Sequence, residues 1–170
     1  MENSGKEAVL LIGHGGVPTD APGELIKELK MLEGQRQARG IWEMSAREAE
    51  LDRKVRTWPR TPQTDPYKWG LEAVAEKLKS RVAPRALHVA YNEFCAPSVE
   101  EAIASLVSAG YARVRLVTTM FTRGGIHSEK EIPQIVEWAR KKYPQVAFEY
   151  AWPYDNDRIA DFLSGHLQSA

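Results

Sequence analysis

Two histidines and one glutamate stand beside glycines or a proline and together could bind a metal ion. His14 is flanked by three glycines, Glu93 precedes a proline by four residues, and His127 follows a pair of glycines by two residues. Two imidazoles and one carboxylate suit a borderline divalent ion such as Co²⁺, Ni²⁺ or Fe²⁺. Imidazole also titrates near neutral pH, so the same side chains could accept protons during a reaction.

Each of these residues follows a predicted strand. Short apolar runs predict four strands, over residues 8–12, 86–91, 113–120 and 146–151. Apolar residues at helical spacing predict helices between the strands and after the last one. This alternation predicts an α/β fold with right-handed crossovers and a four-stranded parallel, doubly wound sheet. Ligands of such sheets bind beyond the carboxyl ends of the strands, so we expect His14, Glu93 and His127 to meet there.

An insertion at about 17–70 interrupts this alternation between the first strand and the next crossover helix. A connection at this point normally needs only about two to six residues. Apolar spacing predicts helices over 24–32 and 41–55, and three prolines predict an irregular return over 56–66. We interpret the insertion as a helical hairpin at the mouth of the site, within a single domain that spans residues 1–170. An exposed surface segment without a role in the site is the alternative.

Composition and charge argue against several classes of function. Lysine and arginine together number 23, as do aspartate and glutamate, so no net basic charge attracts nucleic acid or an anionic membrane. The longest apolar run, residues 8–12, is too short to span a bilayer, and residues 1–7 lack the pattern of a signal peptide. The single cysteine, Cys95, cannot form an intrachain disulfide, so we expect a cytoplasmic protein.

The motifs of two competing chemistries do not occur in the sequence. No P-loop is present and no G-x-G-x-x-G follows a strand, so we expect no bound nucleotide. A hydrolase could use residues 14–16 as an oxyanion loop, but it would also need a G-x-S-x-G nucleophile elbow, which the chain lacks.

Four motifs, in this order, resemble those of the small sirohydrochlorin chelatases, the class II chelatases that insert cobalt, nickel or iron without a nucleotide. The motifs are Leu10–Gly15, Glu93 with Pro97–Ala102, Gly110 before the third strand, and Gly125–His127 with Glu131–Pro133. The resemblance covers residues 8–16 and about 71–165, and it leaves the insertion uncovered. The chain departs from the family at Gly16, where a small polar residue is usual, and at Glu131, where aspartate is common.

The resemblance implies roles for the candidate site residues. His14 and His127 would bind the metal and accept the displaced pyrrole protons, and Glu93 would assist as a carboxylate near the metal or the macrocycle. Arg123 could bind a carboxylate of the tetrapyrrole through its guanidinium group.

Two glycines are further candidates for contact with the macrocycle. Gly15 and Gly125 flank the histidines, and a glycine lets the backbone approach a flat ligand closely.

The resemblance also implies substrates and an assembly. The substrates would be a tetrapyrrole such as sirohydrochlorin and a divalent metal, with Co²⁺ favoured over Ni²⁺ or Fe²⁺ and with no nucleotide. The short members of the family imply a homodimer whose cleft lies between the subunits. A non-catalytic metal or tetrapyrrole carrier built on the same fold is the alternative.

Overall fold

Four parallel strands form one sheet in the order β2-β1-β3-β4. In this computed structural model, which describes residues 5–169, the strands are β1 (Lys6–Gly13), β2 (Ala86–Tyr91), β3 (Tyr111–Thr118) and β4 (Ala147–Tyr150). Ile12 of β1 pairs with Ala90 of β2 and Thr118 of β3, so the carboxyl ends of these strands lie side by side. The predicted four-stranded parallel sheet is confirmed. Residues 1–4, which begin the segment without a signal-peptide pattern, lie outside the described residues.

Six α-helices accompany the strands within residues 5–169. They are α1 (Gly23–Ala38), α2 (Ala46–Arg56), α3 (Pro66–Val82), α4 (Val99–Ser108), α5 (Ile132–Lys142) and α6 (Asn156–Ser169). A π-helical turn, His127–Glu131, leads directly into α5. Polar side chains fix several helix starts, because Ser98 and Glu101 form a reciprocal capping box at α4 and Asp65 caps α3.

Apolar side chains on the two faces of the sheet form two separate cores. On one face Leu10 and Ile12 pack with residues of α4 and α5, among them Ile103. On the other face Leu11 packs with Leu71 and other residues of α3. The central strand β1 is therefore buried on both faces, as its continuous apolar run predicts, and the sheet is doubly wound.

The inserted segment forms the predicted helical hairpin from α1 and α2. Its buried side chains Leu29, Leu51 and Val55 pack against Phe94, which lies in the loop after β2. The backbone N–H of Thr19 donates to the carbonyl of Thr64 at 2.9 Å, so the two ends of the insertion meet. The hairpin is thus attached beside the carboxyl edge of the sheet.

The sequence analysis is wrong about the start of one helix in the insertion. It also places the end of the insertion too late in the chain. α2 begins at Ala46 and not at residue 41, because the Ser45 hydroxyl accepts from the N–H of Glu48 and caps the helix there. α3 begins at Pro66 and packs against β1 and β2, so residues 66–70 belong to the crossover helix. The hairpin and its return therefore end at residue 65.

The last helix lies apart from both cores. α6 has no buried residue, and Phe162 and Leu167 are 68% and 77% exposed. Asp155 caps its start, because a carboxylate oxygen of Asp155 accepts from the N–H groups of Asp157 and Arg158. None of the described helices has both the length and the apolar character needed to cross a membrane.

Candidate metal site

The three predicted metal ligands meet at the carboxyl edge of the sheet. Nε2 of His14 lies 3.6 Å from Glu93 Oε2, and Nε2 of His127 lies 3.8 Å from Glu93 Oε1. One ligand atom from each of the three residues lies within 4.8 Å of the others. Ligand bonds of about 2.0–2.2 Å would place two ligands of one ion about 3–4 Å apart, so small side-chain movements suffice for shared coordination.

The loop after β1 presents the His14 ring with Nε2 free. Nδ1 lies 2.8 Å from the carbonyl oxygen of Gly15, and a carbonyl can only accept, so Nδ1 carries the proton and Nε2 has the lone pair. The N–H of Glu93 donates to the carbonyl of His14 at 2.8 Å, which holds two site loops together. Gly15 has a φ of 99°, and a Cβ there would overlap the carbonyl oxygen of Glu93. Only glycine fits at this close approach.

The π-helical turn presents His127 in the same way. Nδ1 of His127 lies 2.6 Å from Glu131 Oε2, and this carboxylate oxygen also accepts from Asn92 Nδ2 at 2.8 Å. Because the carboxylate is the acceptor, Nδ1 of His127 is the donor, and its Nε2 is left free towards Glu93. A carboxylate behind a ligating imidazole is the usual arrangement for fixing the tautomer of a metal-binding histidine.

Charges close to the site shift three protonation equilibria. The hydrogen bond with Glu131 raises the pKa of His127 above its ordinary value, and Glu93 and Glu131 add attraction for the imidazolium. Burial alone would raise the pKa of Glu131, but hydrogen bonds from His127 and Asn92 outweigh burial and lower it. Burial and repulsion from Glu93 and Glu131 raise the pKa of Glu33, on α1, to about 7. The hairpin therefore adds a carboxyl group to the electrostatic surroundings of the metal site.

A cavity of about 790 Å³ opens beside Glu93 and Glu131. One wall is the hairpin with the turn between its helices, including Glu33 and Trp42. The opposite wall is the loop before α4 and the start of α5, including Ile135. Its size falls within the range of about 300–1,000 Å³ that is usual for small-molecule sites.

The structure places none of the three predicted macrocycle contacts in the cavity lining. Gly15 is buried, and the carbonyl oxygen of Glu93 lies where its Cβ would be. Arg123 donates to Glu129 at 2.9 Å and its side chain is 67% exposed, so the structure does not bring it into the cavity lining. Gly125 is exposed and outside that lining too.

Sequence reasoning misses the roles of three residues that support the candidate metal ligands, although Glu131 is part of a motif that it names. The spacing of His127 and Glu131, four residues apart, was an available signal for their contact. Asn92 directly precedes Glu93 and offers no signal of its own. Gln37 of α1 donates to Glu131 Oε1 at 3.3 Å, a contact that depends on how the hairpin docks.

Comparison with known proteins gives a family match and two relatives of named activity. The CbiX family model matches residues 64–168, which is more than half of the chain. The sirohydrochlorin ferrochelatase of Priestia megaterium is 26% identical over 92 residues, 54% of this chain and 34% of that protein. The sirohydrochlorin cobaltochelatase of Methanococcus maripaludis is 36% identical over 63 residues, 37% of this chain and 43% of that protein. The matched regions span less than half the length of either relative.

A solved structure agrees with the fold. The sirohydrochlorin chelatase SirB from Bacillus subtilis subspecies spizizenii, in complex with cobalt, aligns with a TM-score of 0.50 at 18% identity. The alignment covers 87% of this chain and 43% of SirB. The matching family model covers Glu93 and His127 and begins after the hairpin, one residue before the Asp65 cap of α3. On this match, the chain belongs to the CbiX family.

Proposed function

We propose that this chain inserts a divalent metal ion into sirohydrochlorin or a related tetrapyrrole without a nucleotide. The observation that carries the proposal is the convergence of His14, Glu93 and His127 at one edge of the sheet in a chain of the CbiX family. The names of the two relatives, a ferrochelatase and a cobaltochelatase of sirohydrochlorin, support this substrate class.

The reaction exchanges two pyrrole N–H protons for one M²⁺ ion, so the site must hold the ion and take up two protons. The free Nε2 atoms of His14 and His127 would coordinate the ion with Glu93. As the macrocycle nitrogens take over the ion, each released imidazole regains a lone pair and accepts one proton. Solvent then receives both protons, and the site returns to its starting state.

The two histidines differ in what lies behind the ring. Nδ1 of His127 faces the Glu131 carboxylate, which stabilises an imidazolium and raises the pKa of His127. Nδ1 of His14 faces the neutral carbonyl of Gly15. We therefore assign the first proton to His127.

Co²⁺ is the metal that we propose first, with Ni²⁺ and Fe²⁺ as alternatives. Imidazole and carboxylate ligands accept all three ions, so the ligand set does not select among them. Cobalt is favoured because the cobaltochelatase shares the higher identity, 36% against 26% for the ferrochelatase. Initial rates with each metal at equal concentration would rank them.

A non-catalytic carrier of metal or tetrapyrrole is the second candidate function. It is favoured by the short alignments, which cover only 34% and 43% of the two chelatases, so the activity of the whole relatives does not carry over directly. The decisive assay mixes the protein, sirohydrochlorin and Co²⁺, Ni²⁺ or Fe²⁺, and follows the absorbance change of the macrocycle. Binding without acceleration over the protein-free rate for all three metals would establish the carrier and refute the enzyme.

We also propose that two copies of the chain associate. The alignment with SirB uses 87% of this chain but only 43% of SirB, so one copy matches about half of that longer protein. Phe162, Leu163 and Leu167 on α6 form the exposed apolar face that we assign to the contact. Light scattering should give twice the mass of one chain, and the mass should halve in Phe162→Asp. An unchanged mass in that variant would contradict the assignment.

The cytoplasm is the compartment that we propose. Cys95, in the loop after β2, is a buried free thiol. A reducing compartment keeps a lone thiol of this kind in its free form.

A further inference from the structure

We propose that the α1–α2 hairpin forms, within the same chain, the wall of the site against which the tetrapyrrole ring lies. The inference rests on the proposed function, because it assigns the substrate of that function to the cavity of about 790 Å³ beside the metal site. One face of the ring would contact Trp42 on the hairpin side, and the other face, with the ring nitrogens, would be turned towards Glu93 on the metal side.

The cavity adjoins the candidate metal site through Glu93, while His14 and His127 lie outside its lining. Asn92, Glu93 and Glu131 line it, and Glu93 is within 3.6–3.8 Å of the Nε2 atoms of both histidines. A flat ligand in this cavity would therefore contact Glu93, the residue that would share the ion with both histidines.

Apolar side chains in the cavity wall are exposed to an unusual degree. Ile41, Trp42 and Met44, on the turn between α1 and α2, are 48%, 44% and 42% exposed, and Ile126 opposite them is 45% exposed. Several large apolar side chains exposed around one cavity mark a ligand surface, because leaving them in water is unfavourable. The indole of Trp42 has a flat face that can stack on a conjugated ring.

The turn that carries these side chains is already fixed in place. The Arg36 guanidinium donates to the carbonyl of Trp42 at 3.2 Å, and it pairs with the buried Glu48 at 2.8 Å. The N–H of Ile41 donates back to the carbonyl of Arg36 at 3.1 Å. A ligand that meets this turn loses little free energy in ordering it.

The hairpin as a whole is tied to the metal-site loop. The Arg56 guanidinium donates to the carbonyls of Asn92 and Cys95, both at 2.9 Å, on either side of Glu93. Gln37 reaches Glu131 from the other helix of the hairpin. The wall and the metal ligands therefore keep a fixed distance from each other.

Charged side chains indicate how the ring would be oriented. Arg53 and Lys130 line the cavity, are exposed, and form no ion pair within residues 5–169. The lining acids Glu48 and Asp52 are paired with arginines of the hairpin. Four other lining acids form no ion pair within residues 5–169 and would repel carboxylates elsewhere in the cavity: Glu33, Glu43, Glu100 and Glu101. The peripheral carboxylates of sirohydrochlorin would lie beside Arg53 and Lys130, and the apolar part of the ring would lie against Trp42.

The test titrates metal-free sirohydrochlorin into the full chain and into Trp42→Ala, and follows the macrocycle absorbance. We expect Kd to rise about tenfold in Trp42→Ala, because an aromatic contact and its buried area are lost. Met44→Gln keeps the side-chain length and should raise Kd by a smaller factor. Trp69→Ala is the matched control on α3, outside the cavity, and should leave Kd within about twofold of the wild-type value. Affinity for Co²⁺ alone should be the same in all four proteins.

Each outcome has a definite meaning. An unchanged Kd in both Trp42→Ala and Met44→Gln, or a wild-type protein that does not bind sirohydrochlorin, overturns this inference. A wild-type protein that binds sirohydrochlorin through Trp42 but inserts no metal supports this inference and refutes the proposed catalysis. An equal rise in Kd for sirohydrochlorin in Trp69→Ala would show that general destabilisation, and not contact with Trp42, causes the effect. That result would also overturn the inference.

Discussion

The candidate metal site, through Glu93, and the hairpin adjoin the same cavity, but different interactions hold the two regions in place. His14 and Glu93 come from loops at the ends of neighbouring strands, which backbone hydrogen bonds such as Glu93 N–H to His14 carbonyl keep in register. The hairpin is one continuous segment, and side chains attach it, chiefly Phe94 in its apolar core and the guanidinium of Arg56. Side-chain changes in the hairpin should therefore leave the strand ends where they are.

This difference suggests a division of labour. The sheet edge supplies two imidazoles and a carboxylate, which are metal ligands, whereas the hairpin turn supplies exposed apolar side chains. If each region serves one substrate, variants at the sheet edge will change metal binding, and variants of the hairpin turn will change tetrapyrrole binding. The following variants test how far the two regions can be separated, beginning with the largest expected effect.

Replacing both histidines should remove activity and leave the hairpin intact. We expect His14→Ala with His127→Ala to lower the rate of metal insertion by more than about 100-fold, because one carboxylate remains to hold the ion and no imidazole remains to accept protons. Absorbance assays measure the rate, and circular dichroism checks the fold. His88→Ala is the matched control, because His88 is exposed on β2, away from the site. Retained insertion in the double variant would refute the site.

Gly15→Ala should separate the loops that carry His14 and Glu93. The added Cβ would overlap the carbonyl oxygen of Glu93, and φ at this position is 99°. We expect the free energy of unfolding to fall by about 1–3 kcal/mol and Co²⁺ affinity to fall more than about tenfold. Urea denaturation and Co²⁺ titration measure the two effects. Gly70→Ala in α3 is the control, since nothing lies within 4 Å of its added Cβ, and it should be neutral or stabilising.

Glu131→Gln should change both the strength and the pH dependence of metal binding. Loss of the carboxylate behind His127 should weaken Co²⁺ binding by about 10–100-fold at alkaline pH. In the wild type, hydrogen bonding to Glu131 raises the pKa of His127, so the neutral, metal-binding ring is lost as pH falls through a value above the ordinary 6.5. Without the carboxylate that pKa decreases, and the loss of binding should move to lower pH. A midpoint that does not move would contradict the role of Glu131.

The sequence is sufficient to predict the sheet and the convergence of His14, Glu93 and His127, because both depend on local patterns. A continuous apolar run such as residues 8–12 specifies a buried central strand, and parallel topology then brings His14, Glu93 and His127 to one edge. The roles of the supporting residues depend on tertiary contacts. Gln37 lies 94 positions before Glu131, and no local pattern indicates that the hairpin would bring them together.

The turn of the hairpin shows a second limit of prediction. Apolar spacing from residue 41 predicts helix, yet the Ser45 cap begins α2 later and leaves Ile41 and Trp42 on an irregular turn. Side-chain capping competes with apolar periodicity here, and the cap determines the structure. Trp42, on this turn, is exposed and lines the cavity.

Gln37→Ala has the smallest expected effect of these variants, and it tests whether the hairpin and the candidate metal site are coupled. Its amide donates to Glu131 at 3.3 Å and to Glu33 at 3.4 Å, both long hydrogen bonds at an exposed position. We expect Co²⁺ affinity to fall by no more than about threefold, because Glu131 keeps its contacts with His127 and Asn92. Co²⁺ titration of Gln37→Ala beside Gln35→Ala, an exposed residue of the same helix, measures the effect. A loss as large as that of Glu131→Gln would show that the hairpin helps to build the metal site, and the division of labour would then be wrong.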